Sequence, residues 1–135
     1  MGHKPTHILI VEDHQDSAQM LSKLLSRACL EDSITVCGSC REAIETAKKR
    51  RFDLLLCDIG LPDGDGCEVL REVRAMYPIR AIVITAYVMA ADIQRYQRAG
   101  FDDFLSKPFD FEKLIECIDK RVMASEETGP SDFCR

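Results

Sequence analysis

The stretch LLLCDIGLPDGDG, residues 54–66, combines a wholly apolar run with an acidic residue at its end. A short, continuous apolar run is typical of a strand buried on both faces of a parallel sheet. The run ends on Asp58, and the loop after it is rich in glycine and aspartate. The pattern predicts a buried strand that presents Asp58 at its carboxyl end, followed by a loop that leaves the carboxylate accessible.

Similar segments recur along the chain and alternate with segments of helical periodicity. The other predicted strands are HILIV (7–11), ITVC (34–37), AIVITA (81–86) and a short strand within DDFLSKP (102–108) that ends before Lys107. Strands that alternate with helices, joined by crossovers of one hand, predict a parallel sheet covered by helices on both faces. The expected fold class is therefore α/β, a doubly wound five-stranded parallel sheet.

Two of the predicted helices carry an apolar stripe at helical spacing. The first stripe consists of Met20, Leu21, Leu24, Leu25 and Ala28, and the last of Phe111, Leu114, Ile115, Ile118 and Val122. Both stripes are expected to face the core. Gly100 follows the fourth helical segment, where a C-terminal cap is expected.

Length and composition indicate one domain. The chain has 135 residues, of which 46% are hydrophobic and 30% charged, as in an ordinary globular protein with a single core. The predicted organisation is an N-terminal extension at 1–5, one domain at 6–124, and a polar tail or the start of a linker at 125–135.

Charge and hydropathy argue against two kinds of partner. The net charge is −5, and no basic run is longer than Lys48–Arg51, so direct nucleic-acid binding is not expected. The apolar runs are far shorter than the roughly 18 residues that a membrane span needs. We therefore expect no membrane insertion and a cytoplasmic location.

The seven cysteines are an odd number and are spread through the predicted strands and helices. Reduced thiols fit this distribution better than a disulfide framework. Cys37 and Cys40 match a C-x-x-C motif, but no second such pair completes a zinc site. Any redox role of this pair stays open.

Chemistry-bearing residues lie at or just after the carboxyl ends of the predicted strands. They are Glu12, Asp13, Asp58, Thr85 and Lys107. In a parallel α/β sheet, the ligand site lies at the carboxyl ends of the strands. Three carboxylates placed together repel one another unless a cation joins them, and oxygen ligands favour Mg²⁺. An aspartate there can attack phosphorus, while a lysine and a hydroxyl bind the transferring group.

At these residues the chain resembles the receiver domain of bacterial-type two-component response regulators. The acidic pair, the motif D-x-x-L-P-x-x-x-G at 58–66, Thr85-Ala86 and Lys107-Pro108 occur in order at strand ends. The likeness covers about residues 5–124 and implies the flavodoxin-like (βα)5 fold of chemotaxis regulators.

The resemblance implies a role for each of the acidic residues. Asp58 would be the phosphoacceptor. Glu12 and Asp13 would bind Mg²⁺ or Mn²⁺ together with Asp58 and the backbone carbonyl of Gly60, with Asp13 as the more direct ligand.

The remaining roles concern signalling. The resemblance makes Thr85 the switch hydroxyl and Lys107 the phosphate-pairing lysine, before a peptide bond to Pro108 that is typically cis. Phe104 falls at the switch aromatic but lacks a hydroxyl. Gly60 and Tyr87 occupy positions that tune the lifetime of the acyl phosphate; Tyr87 could shield it, so slow self-dephosphorylation is expected.

Partners also follow from the resemblance. A sensor histidine kinase or a histidine phosphotransfer protein would donate the phosphoryl group. A downstream effector, or a second copy of the chain, would bind the face formed by the fourth helix, fifth strand and fifth helix. The chain would catalyse its own phosphorylation and dephosphorylation without being a multiple-turnover enzyme.

Three alternatives remain open at this point. A phosphatase-like enzyme would use Asp63 and Asp65, although these lie in mid-loop rather than after the first strand. A flavodoxin-type module would bind FMN, although the acidic loop after the first strand does not suit a phosphate. A receiver could also dock without phosphorylation. His14 is expected to be an exposed first-turn residue rather than a metal ligand.

Overall fold

The computed structural model describes the backbone of residues 7–28 and 33–124 and the side chains of 7–27 and 33–118. The proposed extension at 1–5 and tail at 125–135 lie outside these residues. Five parallel strands form one sheet in the order β2-β1-β3-β4-β5. They are β1 (His7–Val11), β2 (Ser33–Cys37), β3 (Leu54–Asp58), β4 (Arg80–Thr85) and β5 (Asp103–Ser106).

Five helices connect and cover the strands. They are α1 (Gln15–Ala28), α2 (Cys40–Lys49), α3 (Gly66–Met76), α4 (Ala90–Ala99) and α5 (Phe111–Ala124). The doubly wound five-stranded fold predicted from the sequence is confirmed. Within the described ranges, no helix is both long enough and apolar enough to cross a membrane.

The core consists of two apolar layers, one on each face of the sheet. Successive side chains of a strand point to opposite faces, so Leu9 of β1 belongs to one layer and Ile10 to the other. The first layer also contains residues of α2, α3 and α4, such as Val73. The second is covered by α1 and α5, represented by Leu25 and Leu114. Both layers therefore hold the strand ends in fixed positions.

The order of the strands places the site. β1 pairs with β2 on one side and with β3 on the other. The order in which successive strands are added to the sheet therefore reverses at β1. This reversal opens a crevice at the carboxyl ends of β1 and β3. The register brings Asp58 of β3 opposite Ile84 of β4, one residue before Thr85.

Local capping explains where several elements begin and end. Ser39 caps α2 by accepting a hydrogen bond from the Glu42 backbone N–H. Gly100 ends α4 with φ 103°, in the left-handed region that glycine tolerates, as predicted. The peptide bond from Lys107 to Pro108 is cis, which the resemblance also predicted.

The prediction that the two apolar stripes face the core is correct in part. Leu21, Leu25 and Leu114 are buried, but Met20 is 46% exposed, so its assignment to the core is wrong. Met20 instead lines an open cavity of about 440 Å³ between α1 and the loop after β5. Cys117 is buried on α5 although the stripe did not include it. The side chains of residues 28 and 122 lie outside the described set.

Candidate functional site

The central contact of the site joins residues that are distant in sequence. Lys107 follows β5, and its Nζ lies 3.0 Å from Glu12 Oε1 and 3.3 Å from Asp58 Oδ2. Glu12 follows β1 and is only 4% exposed, while Asp58 is the last residue of β3. One ammonium group thus bridges two carboxylates at the carboxyl edge of the sheet, where the sequence predicted that these residues lie close together.

Burial and charge act against each other at this contact. Burial raises the pKa of Glu12, while hydrogen bonds from the His14 backbone N–H and from Lys107 oppose that rise. Burial also disfavours the charged form of Lys107, but the hydrogen bond to Glu12 and the charge of Asp58 outweigh it, so the pKa of Lys107 is raised. At neutral pH, Lys107 is therefore an ammonium that partly neutralises both acids.

An acidic cluster lies beside this contact. Glu12, Asp13 and His14 can each place one donor atom within 4.8 Å of the other two. Asp13 and His14 are exposed, whereas Glu12 is buried, so the cluster opens to solvent on one side. Carboxylate oxygens are the donors that a hard divalent cation prefers. The ligand roles of Glu12, Asp13, Asp58 and the Gly60 carbonyl stay predictions.

The loop after Asp58 is held by its own backbone. A short antiparallel ladder pairs Gly60–Leu61 with Gly64–Asp65, and the Gly66 N–H donates to the Ile59 carbonyl at 2.9 Å. A Cβ at Gly66 would clash with the carbonyl oxygen of Asp58 and lie 3.0 Å from Cys57 Sγ. At Gly60, by contrast, a Cβ would meet no atom within 4 Å apart from those of its two neighbours in the chain. The loop thus packs tightly at Gly66 and leaves space around Gly60.

Asp63 and Asp65, the acids of the phosphatase alternative, bind helix ends. Asp63 accepts hydrogen bonds from the backbone N–H groups of Cys40 and Arg41 at 2.8 and 3.0 Å, which lower its pKa. Asp65 caps α3 through the Cys67 N–H at 2.7 Å. Both carboxylates therefore already have structural partners, as acids at helix N-termini commonly do.

The Asp65 carboxylate has a second partner. Arg95 of α4 reaches it at 2.7 Å, with both side chains partly exposed. The aspartate just before a helix start was a recognisable capping signal in the sequence. The contacts of Asp63 with α2 and of Asp65 with α4 cross more than twenty residues and had no local signal.

Thr85 ends β4 and is 1% exposed. Its carbonyl accepts the Lys107 backbone N–H at 2.8 Å, which ties β4 to the end of β5. Its hydroxyl lies 3.3 Å from the hydroxyl of Tyr96, a fully buried residue of α4. Sequence analysis did not single out Tyr96, since helical periodicity can indicate that a side chain is buried but not which group its hydroxyl meets.

The other residues of the predicted switch lie close by. Phe104 of β5 is half-buried and packs against the core layer that includes Tyr96. Tyr87, two residues after Thr85, has a side chain that is 64% exposed. The switch role of Thr85 and Phe104, and the lifetime role of Gly60 and Tyr87, stay predictions.

The C-x-x-C cysteines are both buried and both free thiols. The Cys37 thiol hydrogen-bonds to Thr46 Oγ1 at 3.4 Å, and that of Cys40 to the Asp65 carbonyl at 3.6 Å. Burial raises the pKa of Cys37, and burial with the charge of Asp63 raises that of Cys40 to about 11. Reactive cysteines have depressed pKa values, so the burial and the raised pKa values of Cys37 and Cys40 disfavour redox chemistry at this pair.

The described residues thus form an α/β domain of the doubly wound class with a lysine-bridged acidic site at the carboxyl edge of its sheet. The family model described as the response regulator receiver domain matches residues 8–119. The chain belongs to this family of receiver domains.

Three known proteins illustrate the family relationship. The transcriptional regulatory protein ZraR of Salmonella typhimurium is 31% identical over 123 residues, 90% of this chain. The signal transduction histidine-protein kinase BarA of Escherichia coli is 32% identical over 110 residues, 79% of this chain. The crystal structure of a CheY-like receiver domain protein from Methanospirillum hungatei superposes with a TM-score of 0.82 at 25% identity, covering 93% of this chain and all of that one.

The two sequence relatives are much longer than this chain. The match spans 27% of ZraR and 12% of BarA. What they share with this chain is therefore the receiver domain, which occurs in one case in a transcriptional regulator and in the other in a histidine kinase.

Proposed function

We propose that this receiver domain takes a phosphoryl group from a phosphohistidine donor onto Asp58 and thereby changes which partners it binds. The observation that carries the proposal is the Lys107 ammonium, 3.3 Å from Asp58 Oδ2 and 3.0 Å from the buried Glu12. A cation at this distance can pair with a phosphoryl oxygen once Asp58 is modified. Asp58 itself is oriented by the Gly60 N–H, which donates to its Oδ1 at 3.4 Å.

The proposed step uses the carboxylate as a nucleophile. One oxygen of Asp58 attacks the phosphorus of the donor, the P–N bond breaks, and its electron pair returns to the imidazole nitrogen, which takes up a proton. An acyl phosphate forms on Asp58. Hydrolysis by water later releases inorganic phosphate and restores the carboxylate.

The donor set fits a divalent cation. Glu12 is a buried acid with a raised pKa, and beside it Asp13 is open to solvent. Glu12 and Asp13, with Asp58 and the Gly60 carbonyl, would hold Mg²⁺ or Mn²⁺. When bound, the cation supplies positive charge that offsets the carboxylates and the transferring phosphoryl group. His14 can contribute a nitrogen, but oxygen ligands suit these cations better.

The proposed output is a change at the surface formed by α4, β5 and α5. Thr85 and Lys107 are linked through backbone at the junction of β4 and β5, so movement of either side chain acts on this surface. Met89 and Tyr87, at the start of α4, are 74% and 64% exposed, which provides apolar area for a partner or a second copy. The kinase, the effector and a cytoplasmic location belong to this proposal.

The direct test uses a small donor that also contains a P–N bond. The protein is incubated with phosphoramidate and Mg²⁺, with and without chelator, and its intact mass is measured. We expect one phosphoryl adduct that requires the cation and is absent in Asp58→Asn. Asp63→Asn is the matched control, since it removes a nearby loop carboxylate and should retain the adduct.

Two outcomes would contradict the proposal. One is no adduct on the wild-type protein under any condition, which would favour docking without phosphorylation. The other is an adduct that persists in Asp58→Asn and disappears in Asp63→Asn, which would favour the phosphatase-like alternative.

A further inference from the structure

Three hydrogen bonds form a closed ring between β4 and α4. The Tyr87 backbone N–H lies 2.9 Å from Thr85 Oγ1, Thr85 Oγ1 lies 3.3 Å from Tyr96 Oη, and Tyr96 Oη lies 2.8 Å from the Tyr87 carbonyl oxygen. The ring therefore involves one threonine, the hydroxyl of one tyrosine and the backbone of another.

The direction of each bond follows from the number of protons. The Tyr87 carbonyl can only accept, so the single hydroxyl proton of Tyr96 is directed to it. The Tyr87 N–H can only donate, so Thr85 Oγ1 accepts it. The remaining bond must then run from the Thr85 hydroxyl to Tyr96 Oη. The one hydroxyl proton of Thr85 is thus donated to Tyr96 of α4.

Both hydroxyl groups of this hydrogen bond are buried. Thr85 is 1% exposed and Tyr96 is completely buried, so bulk water does not replace a bond that either hydroxyl loses. Burial also raises the pKa of Tyr96, which keeps the hydroxyl protonated at neutral pH. Phe104, the aromatic residue of β5 in the predicted switch, has no hydroxyl with which to take over this role.

We propose that Tyr96 is the positioning residue of the switch: it holds the Thr85 hydroxyl in the unmodified protein, and a phosphoryl group on Asp58 must compete with it for the Thr85 proton. This inference rests on the proposed function of Asp58. When Thr85 turns to the phosphoryl group, its bond to Tyr96 breaks, and α4 loses one of the two hydrogen bonds that the Tyr96 hydroxyl makes. The signal therefore reaches α4 directly through Tyr96.

The size of the effect follows from the strength of one neutral hydrogen bond. Removing the Tyr96 hydroxyl frees the Thr85 proton before phosphorylation, so the activated state no longer breaks that bond. A net hydrogen bond corresponds to about a two- to tenfold change in an equilibrium constant. Tyr96→Phe should therefore increase the affinity for a phosphoryl mimic by about this factor.

The experiment measures binding of beryllofluoride, a mimic of the aspartyl phosphoryl group, in the presence of Mg²⁺ by titration calorimetry. The variants are Tyr96→Phe, Thr85→Ala and the double variant, each checked for folding by circular dichroism. Tyr96→Phe also removes the bond to the Tyr87 carbonyl, but it does so whether or not Thr85 is present. The double-mutant cycle therefore isolates the contact between Thr85 and Tyr96.

Tyr77→Phe is the matched control. The Tyr77 hydroxyl accepts the Phe52 N–H at 3.3 Å and lies 3.0 Å from the Ala47 carbonyl oxygen and 3.2 Å from that of Arg50, to which it can donate. Its partners are therefore all backbone groups. Phe52 precedes β3 and lies towards the opposite edge of the sheet from Asp58. Loss of this hydroxyl should reduce stability without changing the affinity for beryllofluoride.

The inference predicts tighter binding by Tyr96→Phe, no effect of the same change in the Thr85→Ala background, and no effect of Tyr77→Phe. In the wild-type protein, the NMR shift of the Tyr96 ring carbon that bears the hydroxyl should move on binding, because that oxygen loses a donor. Unchanged affinity, or an equal change in the Thr85→Ala background, would overturn the inference while the proposed function stands. A wild-type protein that binds no beryllofluoride would overturn both.

Discussion

Replacing Lys107 by methionine should destabilise the protein in the absence of a divalent cation. The change keeps the length of the side chain but removes the charge that lies 3.0 Å from Glu12 and 3.3 Å from Asp58. At an effective dielectric constant of about 20, each pair attracts by roughly 5 kcal/mol before the cost of desolvation. The Lys107 side chain is 27% exposed, so solvent screening reduces the net loss, and we expect about 2 kcal/mol.

Urea and thermal unfolding followed by circular dichroism, in the presence of chelator, measure this loss. For a domain of this size, about 2 kcal/mol corresponds to a fall in Tm of roughly 6–10 °C. The difference in stability between Lys107→Met and the wild type should become smaller with added Mg²⁺, which binds the carboxylates that no longer pair with Lys107. It should also become smaller as the pH falls. The pH effect follows from Glu12, because burial raises the pKa of this residue in the folded state. Below that pKa Glu12 is neutral, so the loss of the Lys107 charge destabilises the variant mainly at higher pH.

Lys49→Met is the control, since this lysine is exposed at the end of α2 and should be replaced with little effect. Two results would contradict this role of Lys107: a Lys107→Met variant as stable as the wild type in chelator, or equal stabilisation of both proteins by Mg²⁺. Either result would mean that the Lys107 ammonium does not compensate the charge of the buried acid.

Three further changes test other parts of the site. Gly66→Ala should destabilise the domain by about 1–3 kcal/mol in urea unfolding, because the new Cβ meets the Asp58 carbonyl, whereas Gly60→Ala should change stability by less than about 0.5 kcal/mol; equal effects would contradict the packing described here. Tyr87→Ala should speed the decay of the acyl phosphate, and an unchanged decay rate would count against shielding. Cys40 and Cys57 should react slowly with a thiol reagent at pH 8, since burial raises the pKa of both, and fast labelling mapped to either by mass spectrometry would contradict that assignment.

The strands were predictable because both faces of this sheet are buried. Each apolar run had to be a strand or a short buried helix, and its length and β-branched residues favoured the strand. The acidic and basic residues of the site were predictable for a related reason: a parallel sheet brings the residues after its strands to one edge. Lys107 contacts Glu12, which is 95 residues away in the sequence, and Asp58, which is 49 residues away. Each of the three residues nevertheless follows an apolar run.

The features that the sequence did not predict depend on contacts between elements. Met20 has the spacing of a core residue, but the gap between α1 and the loop after β5 leaves it exposed. The contacts of Asp63 with α2 and of Arg95 with Asp65 depend on how the loop after β3 folds back. Helical spacing is consistent with the burial of Tyr96, but the hydroxyl bond to Thr85 requires a known distance between α4 and β4.

Chemical reduction can identify the residue that carries the phosphoryl group. After incubation with phosphoramidate and Mg²⁺, the protein is treated with borohydride, which reduces an aspartyl phosphate to homoserine, and is then digested and mapped by mass spectrometry. We expect homoserine at position 58 and at no other aspartate, and none when chelator replaces Mg²⁺. Homoserine at Asp63 or Asp65, or no reduced residue in a protein that folds normally, would contradict the proposed role of Asp58.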